Sequence, residues 1–140
     1  MNRLDAYFLG LVFAHLGGVL VHTIAHLWLQ ILPAPPDTAF ILAVIFIGPV
    51  ATLPILRFNP TLASGVLAVV MAAAFAYGFQ SHFLIAGPDQ VVIVSSDLWT
   101  LVFVATAVAI GVLELASIAV AVVLFGRSIR NPWGHPERPR

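Results

Sequence analysis

The first long apolar stretch of the chain, residues 5–32, has the sequence DAYFLGLVFAHLGGVLVHTIAHLWLQIL, in which Asp5 is the only Asp, Glu, Lys or Arg. A helix needs roughly 20 predominantly apolar residues to cross a hydrocarbon core about 30 Å thick. The stretch exceeds that length, and it is also longer than the roughly 7–15-residue core of a signal peptide. We therefore expect it to form the first transmembrane helix and to be retained in the protein.

Three more apolar segments follow, and they predict helices over residues 38–56, 60–86 and 97–125. The breaks between the four segments are Pro33-Ala34-Pro35-Pro36, Arg57-Phe58-Asn59-Pro60 and the region that opens with Gly87-Pro88-Asp89. The expected N-caps are Asp37 or Thr38 for the second helix, Asn59 for the third, and Ser95, Ser96 or Asp97 for the fourth. Proline inside the second segment should bend that helix.

The composition places the chain in lipid. Hydrophobic residues make up 61% of the sequence and charged residues only 9%, against about 25% charged in soluble domains. The zero formal net charge argues against nucleic acid as a partner, and the absence of cysteine excludes disulfides, iron–sulfur clusters and c-type haem. The sequence predicts an all-α integral membrane protein with one transmembrane domain, residues 1–126, and a polar tail rich in Pro and Arg, residues 127–140.

The arginines indicate the orientation. All six basic residues lie at the two ends of the chain or in the second predicted loop, as Arg3, Arg57, Arg127, Arg130, Arg138 and Arg140. The first and third loops contain no Lys or Arg. The positive-inside rule then places both termini in the cytoplasm, and short loops favour an antiparallel up-down-up-down four-helix bundle. We expect a prokaryotic inner membrane as its location.

Three histidines of the first segment share one face. His15, His22 and His26 are seven and four residues apart, so at 100° per residue they lie within a stripe about 40° wide. A polar side chain inside a membrane is costly and needs a partner or a function. We therefore expect this stripe to face the interior of the bundle.

Two residues on other segments match these histidines in depth. His82 lies four residues from the predicted end of the third helix, level with His22 and His26 within about one turn of 1.5 Å per residue. Glu114 lies near the middle of the fourth helix, as His15 does in the first. The sequence therefore predicts an outer layer of His22, His26 and His82, and a deeper polar layer of His15 and Glu114.

The leading hypothesis is that the outer layer binds a redox cofactor or a transition metal, for electron transfer or metal handling. Three imidazoles suit Zn, Cu or Fe. Alternatively, His22 or His26 together with His82 could supply the two axial ligands of haem b, which come from opposite faces of the macrocycle. The chain could then be part of a membrane oxidoreductase with a quinone or another lipid-soluble molecule as partner, although no hydrolase or transferase motif is present.

Other interpretations remain open. The chain could be a non-catalytic accessory subunit of a larger membrane complex, or a homo-oligomer. His15 and Glu114 could form a proton or ion path. The polar residues could also be interhelical hydrogen bonds that only stabilise the bundle, worth roughly 0.6–2 kcal/mol each.

Overall fold

The computed structural model describes residues 3–91 and 97–130, and within these ranges the chain is all-helical. Four helices are long and apolar enough to span a membrane: α1 (Arg3–Trp28), α2 (Pro35–Phe58), α3 (Pro60–Leu84) and α4 (Leu98–Arg130). These helices indicate a multi-pass membrane protein. Part of the third loop and the tail beyond 130, which includes most of the predicted polar tail, lie outside the described residues.

The ends of the helices differ from the predicted ones by a few residues. Helix α2 begins at Pro35 with Ala34 as its N-cap and no capping side chain, so the expected cap at Asp37 or Thr38 was wrong. Consecutive prolines can occupy a first helical turn, because its N–H groups have no partner in the helix. Helix α4 continues past 125 to Arg130 and so takes in the first residues of the predicted tail.

The other N-caps follow the sequence. Asn59 Oδ1 accepts a hydrogen bond from the Leu62 amide at 2.9 Å, and Pro60 occupies the first turn of α3. Asp97 Oδ1 accepts from the Thr100 amide at 2.7 Å at the start of α4. Both bonds satisfy amide groups that a helix N-terminus leaves free.

Two of the helices contain a π-helical segment. Residues Ile41–Ile47 of α2 are π-helical and lead directly into Gly48-Pro49. Pro49 has no N–H, so it cannot continue the regular hydrogen-bond ladder of the helix. Residues Gln80–Leu84 at the end of α3 are also π-helical, and they include His82. Segments of this kind are rare and often occur at functional sites.

Helix α1 packs chiefly on α4, α4 on α3, and α3 on α2, whereas α1 and α2 make few contacts. Along α1 and α4 the residue numbers of facing side chains run in opposite order, with Trp28 stacked on Trp99 and His15 bonded to Glu114. One cluster of buried side chains closes the bundle near the Asn59 turn: Phe8, Val12, Ala63, Leu67, Met71, Ala121 and Leu124. A second, smaller cluster lies nearer the Trp28 end: Val19, Ile45, Ala74 and Ile110.

Candidate metal centre

The three histidines of the predicted outer layer come together near the Trp28 end of the bundle. The Nε2 atom of His22 lies 3.1 Å from Nε2 of His26 and 3.2 Å from Nε2 of His82. One ligand atom from each residue lies within 4.8 Å of those of the other two, so the group could hold a metal ion. We call these three residues the histidine triad.

The turn at the C-terminus of helix α1 positions His26. Gln30 adopts a left-handed conformation with φ of 56°. The Ile31 amide donates to the His26 carbonyl at 3.0 Å, and the Gln30 amide donates to the Leu27 carbonyl at 3.3 Å. This is the hydrogen-bond pattern of a Schellman motif. The turn brings the Ile31 carbonyl back to the imidazole, where it accepts a hydrogen bond from His26 Nδ1 at 2.9 Å.

The loop after α3 positions His82 in the same way. The Val91 amide donates to the His82 carbonyl at 3.0 Å, so the chain folds back over the end of the helix. This turn brings the Asp89 carbonyl within 2.9 Å of His82 Nδ1, from which it accepts a hydrogen bond. His82 is therefore held through both its main chain and its ring.

A threonine of α4 positions His22. Its Nδ1 lies 2.8 Å from Thr106 Oγ1. The Thr106 hydroxyl proton is directed to the Val102 carbonyl at 2.6 Å, so the oxygen is left to accept from His22 Nδ1–H. Phe103, one turn before Thr106, covers the triad, and its ring stacks on that of His22 with centroids 4.8 Å apart.

These three anchors fix the tautomers. The Ile31 and Asp89 carbonyls can only accept, so His26 and His82 carry a proton on Nδ1 and, when neutral, present an unprotonated Nε2. The Thr106 hydroxyl can donate or accept; with its proton on the Val102 carbonyl it accepts from His22 Nδ1, and the neutral His22 ring then presents an unprotonated Nε2 as well. Metal-binding histidines commonly donate their other N–H to a carbonyl or carboxylate, which orients the ring and fixes its tautomer. The triad therefore directs lone pairs at one another, an arrangement that a cation between them would stabilise.

An acidic side chain adjoins the triad. The Oδ1 atom of Asp89 lies 3.4 Å from His26 Nδ1. This atom is buried and has no hydrogen-bond partner within residues 3–91 and 97–130. Three neutral imidazoles would leave the charge of a divalent ion uncompensated, which is unfavourable in an apolar medium. The Asp89 carboxylate is placed to offset part of that charge.

The deeper polar pair lies apart from the triad, towards the Asn59 end. His15 Nε2 is 3.2 Å from Glu114 Oε1, and both residues are almost completely buried. His15 Nδ1 has no hydrogen-bond partner among the described residues. An unpaired buried acceptor is more common than an unpaired buried N–H. The pair is therefore best described with the His15 proton on Nε2, donated to Glu114.

The sequence did not identify two residues of the site. Thr106 is absent from the predicted site, although it lies eight residues before Glu114, at about the depth of His22. Asp89 is predicted only as part of a loop, yet its carbonyl anchors one imidazole and its carboxylate approaches another. Matching depths along the helices could have found Thr106. The main-chain carbonyls of Ile31 and Asp89 have no signal in the sequence.

Comparisons with protein-family models, with curated proteins and with solved structures give no match.

Proposed function

We propose that this chain is a four-span membrane protein that binds one transition-metal ion through His22, His26 and His82. The observation that carries the proposal is the convergence of three Nε2 atoms while each Nδ1 is held by its own oxygen acceptor. A tetrahedral ion with metal–nitrogen distances of about 2.0–2.1 Å would separate its nitrogen ligands by about 3.4 Å. The two separations that involve His22 Nε2, 3.1 and 3.2 Å, are close to that value, and one ligand atom each of His26 and His82 lie within 4.8 Å of each other.

The surface of the bundle supports a location within the bilayer. Large apolar side chains are exposed on all four helices, among them Phe13, Leu42, Val69 and Val112, each more than half exposed. A soluble protein rarely exposes so much contiguous apolar surface. The facing residues of α1 and α4 fit an antiparallel up-down-up-down arrangement, and the six arginines favour cytoplasmic termini. We propose this orientation, in a prokaryotic inner membrane.

The geometry favours a bare ion over haem b. Two axial imidazoles on opposite sides of a haem iron stand about 4 Å apart, twice a metal–nitrogen bond of about 2 Å, and the macrocycle lies between them. His22 Nε2 and His82 Nε2 are only 3.2 Å apart, and Phe103 packs against both rings. For the other pair, His26 and His82, the Nε2 atom of His22 lies 3.1 and 3.2 Å from their Nε2 atoms, so the His22 ring occupies the space that a macrocycle between them would need. Three nitrogens converging on one point match a single ion instead.

The ion would keep one coordination position open. Three protein ligands are typical of metal sites that also bind water or substrate, whereas structural sites usually have four. The triad borders a cavity inside the bundle, described below, from which a further ligand could reach the ion. Copper or iron in this position would serve electron transfer, and zinc would serve metal handling or activation of a bound ligand.

The test is elemental analysis of the purified protein with matched variants. The detergent-solubilised chain is loaded with Zn²⁺ or Cu⁺, freed of excess metal and analysed by mass spectrometry. We expect one metal ion per chain in the wild type and in His15→Gln, and a loss of at least tenfold in affinity in His82→Gln. Full metal retention in His82→Gln, or none in the wild type, would contradict the proposal, and a Soret band would assign haem instead.

A further inference from the structure

A cavity of about 460 Å³ lies inside the bundle beside the histidine triad. The triad and Asp89 border one end of it, and Glu114 borders it on the side of the Asn59 turn. Its volume lies in the usual range of small-molecule sites, about 300–1,000 Å³. All four helices contribute to its walls, and the cavity is partly open to the surface of the bundle.

The cavity borders the junction between α1 and α2. Leu27 of α1 and Leu42 of α2 both line it and are each about half exposed, at 54% and 52%. The two helices make few contacts with each other, and α2 is π-helical on this side of Gly48-Pro49. The cavity lies between the two helices there and leaves a gap between them. In a membrane this gap would open sideways into the acyl chains.

The walls suit a flat apolar ring. Five aromatic side chains line the cavity: Phe46, Phe75, Tyr77, Phe79 and Phe83. Aromatic side chains favour stacked or edge-to-face contacts with other rings. The walls contain few polar groups. The histidines and carboxyl groups among them lie in two places, which we call the poles of the cavity: the triad with Asp89 forms the first pole, and the Glu114 carboxyl group forms the second.

The spacing of the two poles limits the ligand. His15, which contacts Glu114, lies seven residues before His22 on α1, so the two poles are separated by about 10.5 Å along the helix axis. A metal–oxygen bond of about 2.1 Å at one pole and a hydrogen bond of about 2.7 Å at the other take up part of this distance. About 6 Å then remains between the two polar atoms of the ligand. That is the width of one six-membered ring with an oxygen atom at each end.

We propose that the cavity binds a lipid-soluble para-quinone, with one ring oxygen on the metal ion, the other on Glu114, and the tail passing between α1 and α2. This inference rests on the proposed metal site, which supplies the first pole. A fatty acid fits less well because its single polar end would occupy the metal, leaving Glu114 against a hydrocarbon chain.

The Glu114 carboxyl group has the right partner for this role. Its Oε1 is bonded to His15, which fixes the side chain while Glu114 borders the cavity. Oε2 is then left for a ligand, and a carboxyl group can donate there when it is protonated. His15 is fully buried and does not line the cavity, so it acts as a positioning residue for Glu114.

The experiment measures binding of a tritiated benzoquinone with a ten-carbon tail to the protein in phospholipid nanodiscs. Zinc is used as the metal because it is redox-inert. Zinc content is determined first, in every sample. We expect saturable binding of one quinone per zinc-loaded chain above the level of empty nanodiscs, and binding at least tenfold weaker after the zinc is removed.

Two glycines give a matched pair of variants. A Cβ atom at Gly78 or at Gly17 meets nothing within 4 Å, so a larger side chain fits at both. Gly78 lines the cavity and Gly17 does not. We expect Gly78→Leu to retain zinc and lose at least tenfold in quinone affinity, and Gly17→Leu to match the wild type. Glu114→Met should lower the quinone affinity about tenfold, which corresponds to the loss of one hydrogen bond. Glu114→Gln should retain most of the wild-type affinity.

The outcomes separate the two proposals. If neither the wild type nor any variant binds zinc, the proposed metal site and this inference are both overturned. If zinc binds but quinone does not exceed the empty-nanodisc level, only the inference is overturned. Unchanged quinone affinity in Gly78→Leu would also overturn it, as would displacement by decanoic acid at the same concentration as unlabelled quinone.

Discussion

Thr106→Val should weaken metal binding by about 10–100-fold without unfolding the protein. Valine keeps the shape of threonine but removes the oxygen that accepts from His22 Nδ1–H at 2.8 Å. His22 is only 8% exposed, so water cannot readily replace this partner. A buried donor without an acceptor costs about 1–3 kcal/mol, and loss of an outer-shell partner typically lowers metal affinity 10–100-fold.

The assay is competition for Zn²⁺ between the detergent-solubilised protein and a chromophoric chelator. Thr106→Ser should bind as the wild type does, because the hydroxyl group remains. Thr23→Val is the matched control, since Thr23 Oγ1 also donates to a carbonyl of its own helix, that of Val19 at 2.8 Å, and has no hydrogen bond to the triad among the described residues. Equal zinc affinity in Thr106→Val and Thr23→Val would refute the reasoning that Thr106 fixes the His22 tautomer.

Three further predictions follow from the same structure. Asp89→Asn should weaken Zn²⁺ binding about tenfold, because the carboxylate 3.4 Å from His26 Nδ1 is lost, whereas Asp37→Asn at the same end of the bundle should have no effect in the chelator assay. The chain has no cysteine, so in right-side-out vesicles a membrane-impermeant maleimide should label Leu98→Cys directly and Phe58→Cys only after permeabilisation; the reverse pattern would overturn the proposed orientation. Gly48→Ala should lower the free energy of unfolding by about 1–3 kcal/mol. Its Cβ would lie 3.1 Å from Val70 Cγ1 and 3.3 Å from Val70 Cβ, and rotation of the valine side chain cannot relieve the second contact. Gly17→Ala, where the Cβ meets nothing within 4 Å, should not lower it; denaturation followed by tryptophan fluorescence measures both.

The sequence predicts the four apolar helices and the assembly of the triad for simple physical reasons. Helical periodicity alone places His22 and His26 on one face, and the rise per residue brings His82 to their level. The structure confirms that one ligand atom of each lies within 4.8 Å of the others. The shared face and the matching depth depend only on helix geometry. The prediction of the triad therefore holds even when the predicted ends of the helices are wrong by a few residues.

The rest of the site depends on backbone detail that side-chain patterns do not encode. The carbonyl that holds His26 is available because Gln30 takes a left-handed conformation, and nothing in the sequence indicates such a conformation at a glutamine. The π-helical segment before Gly48 was expected only as a bend. The cavity is lined by residues of that segment and of the three other helices, and a single sequence does not show how these elements pack.

X-ray absorption spectroscopy of the zinc-loaded protein tests the central claim most directly. The account predicts three nitrogen ligands at about 2.0–2.1 Å, with the outer-shell scattering of imidazole rings, and one additional light-atom ligand. In His82→Gln the imidazole contribution should fall from three rings to two. A spectrum with one imidazole or none, or one unchanged in His82→Gln, would contradict the histidine triad as the metal site.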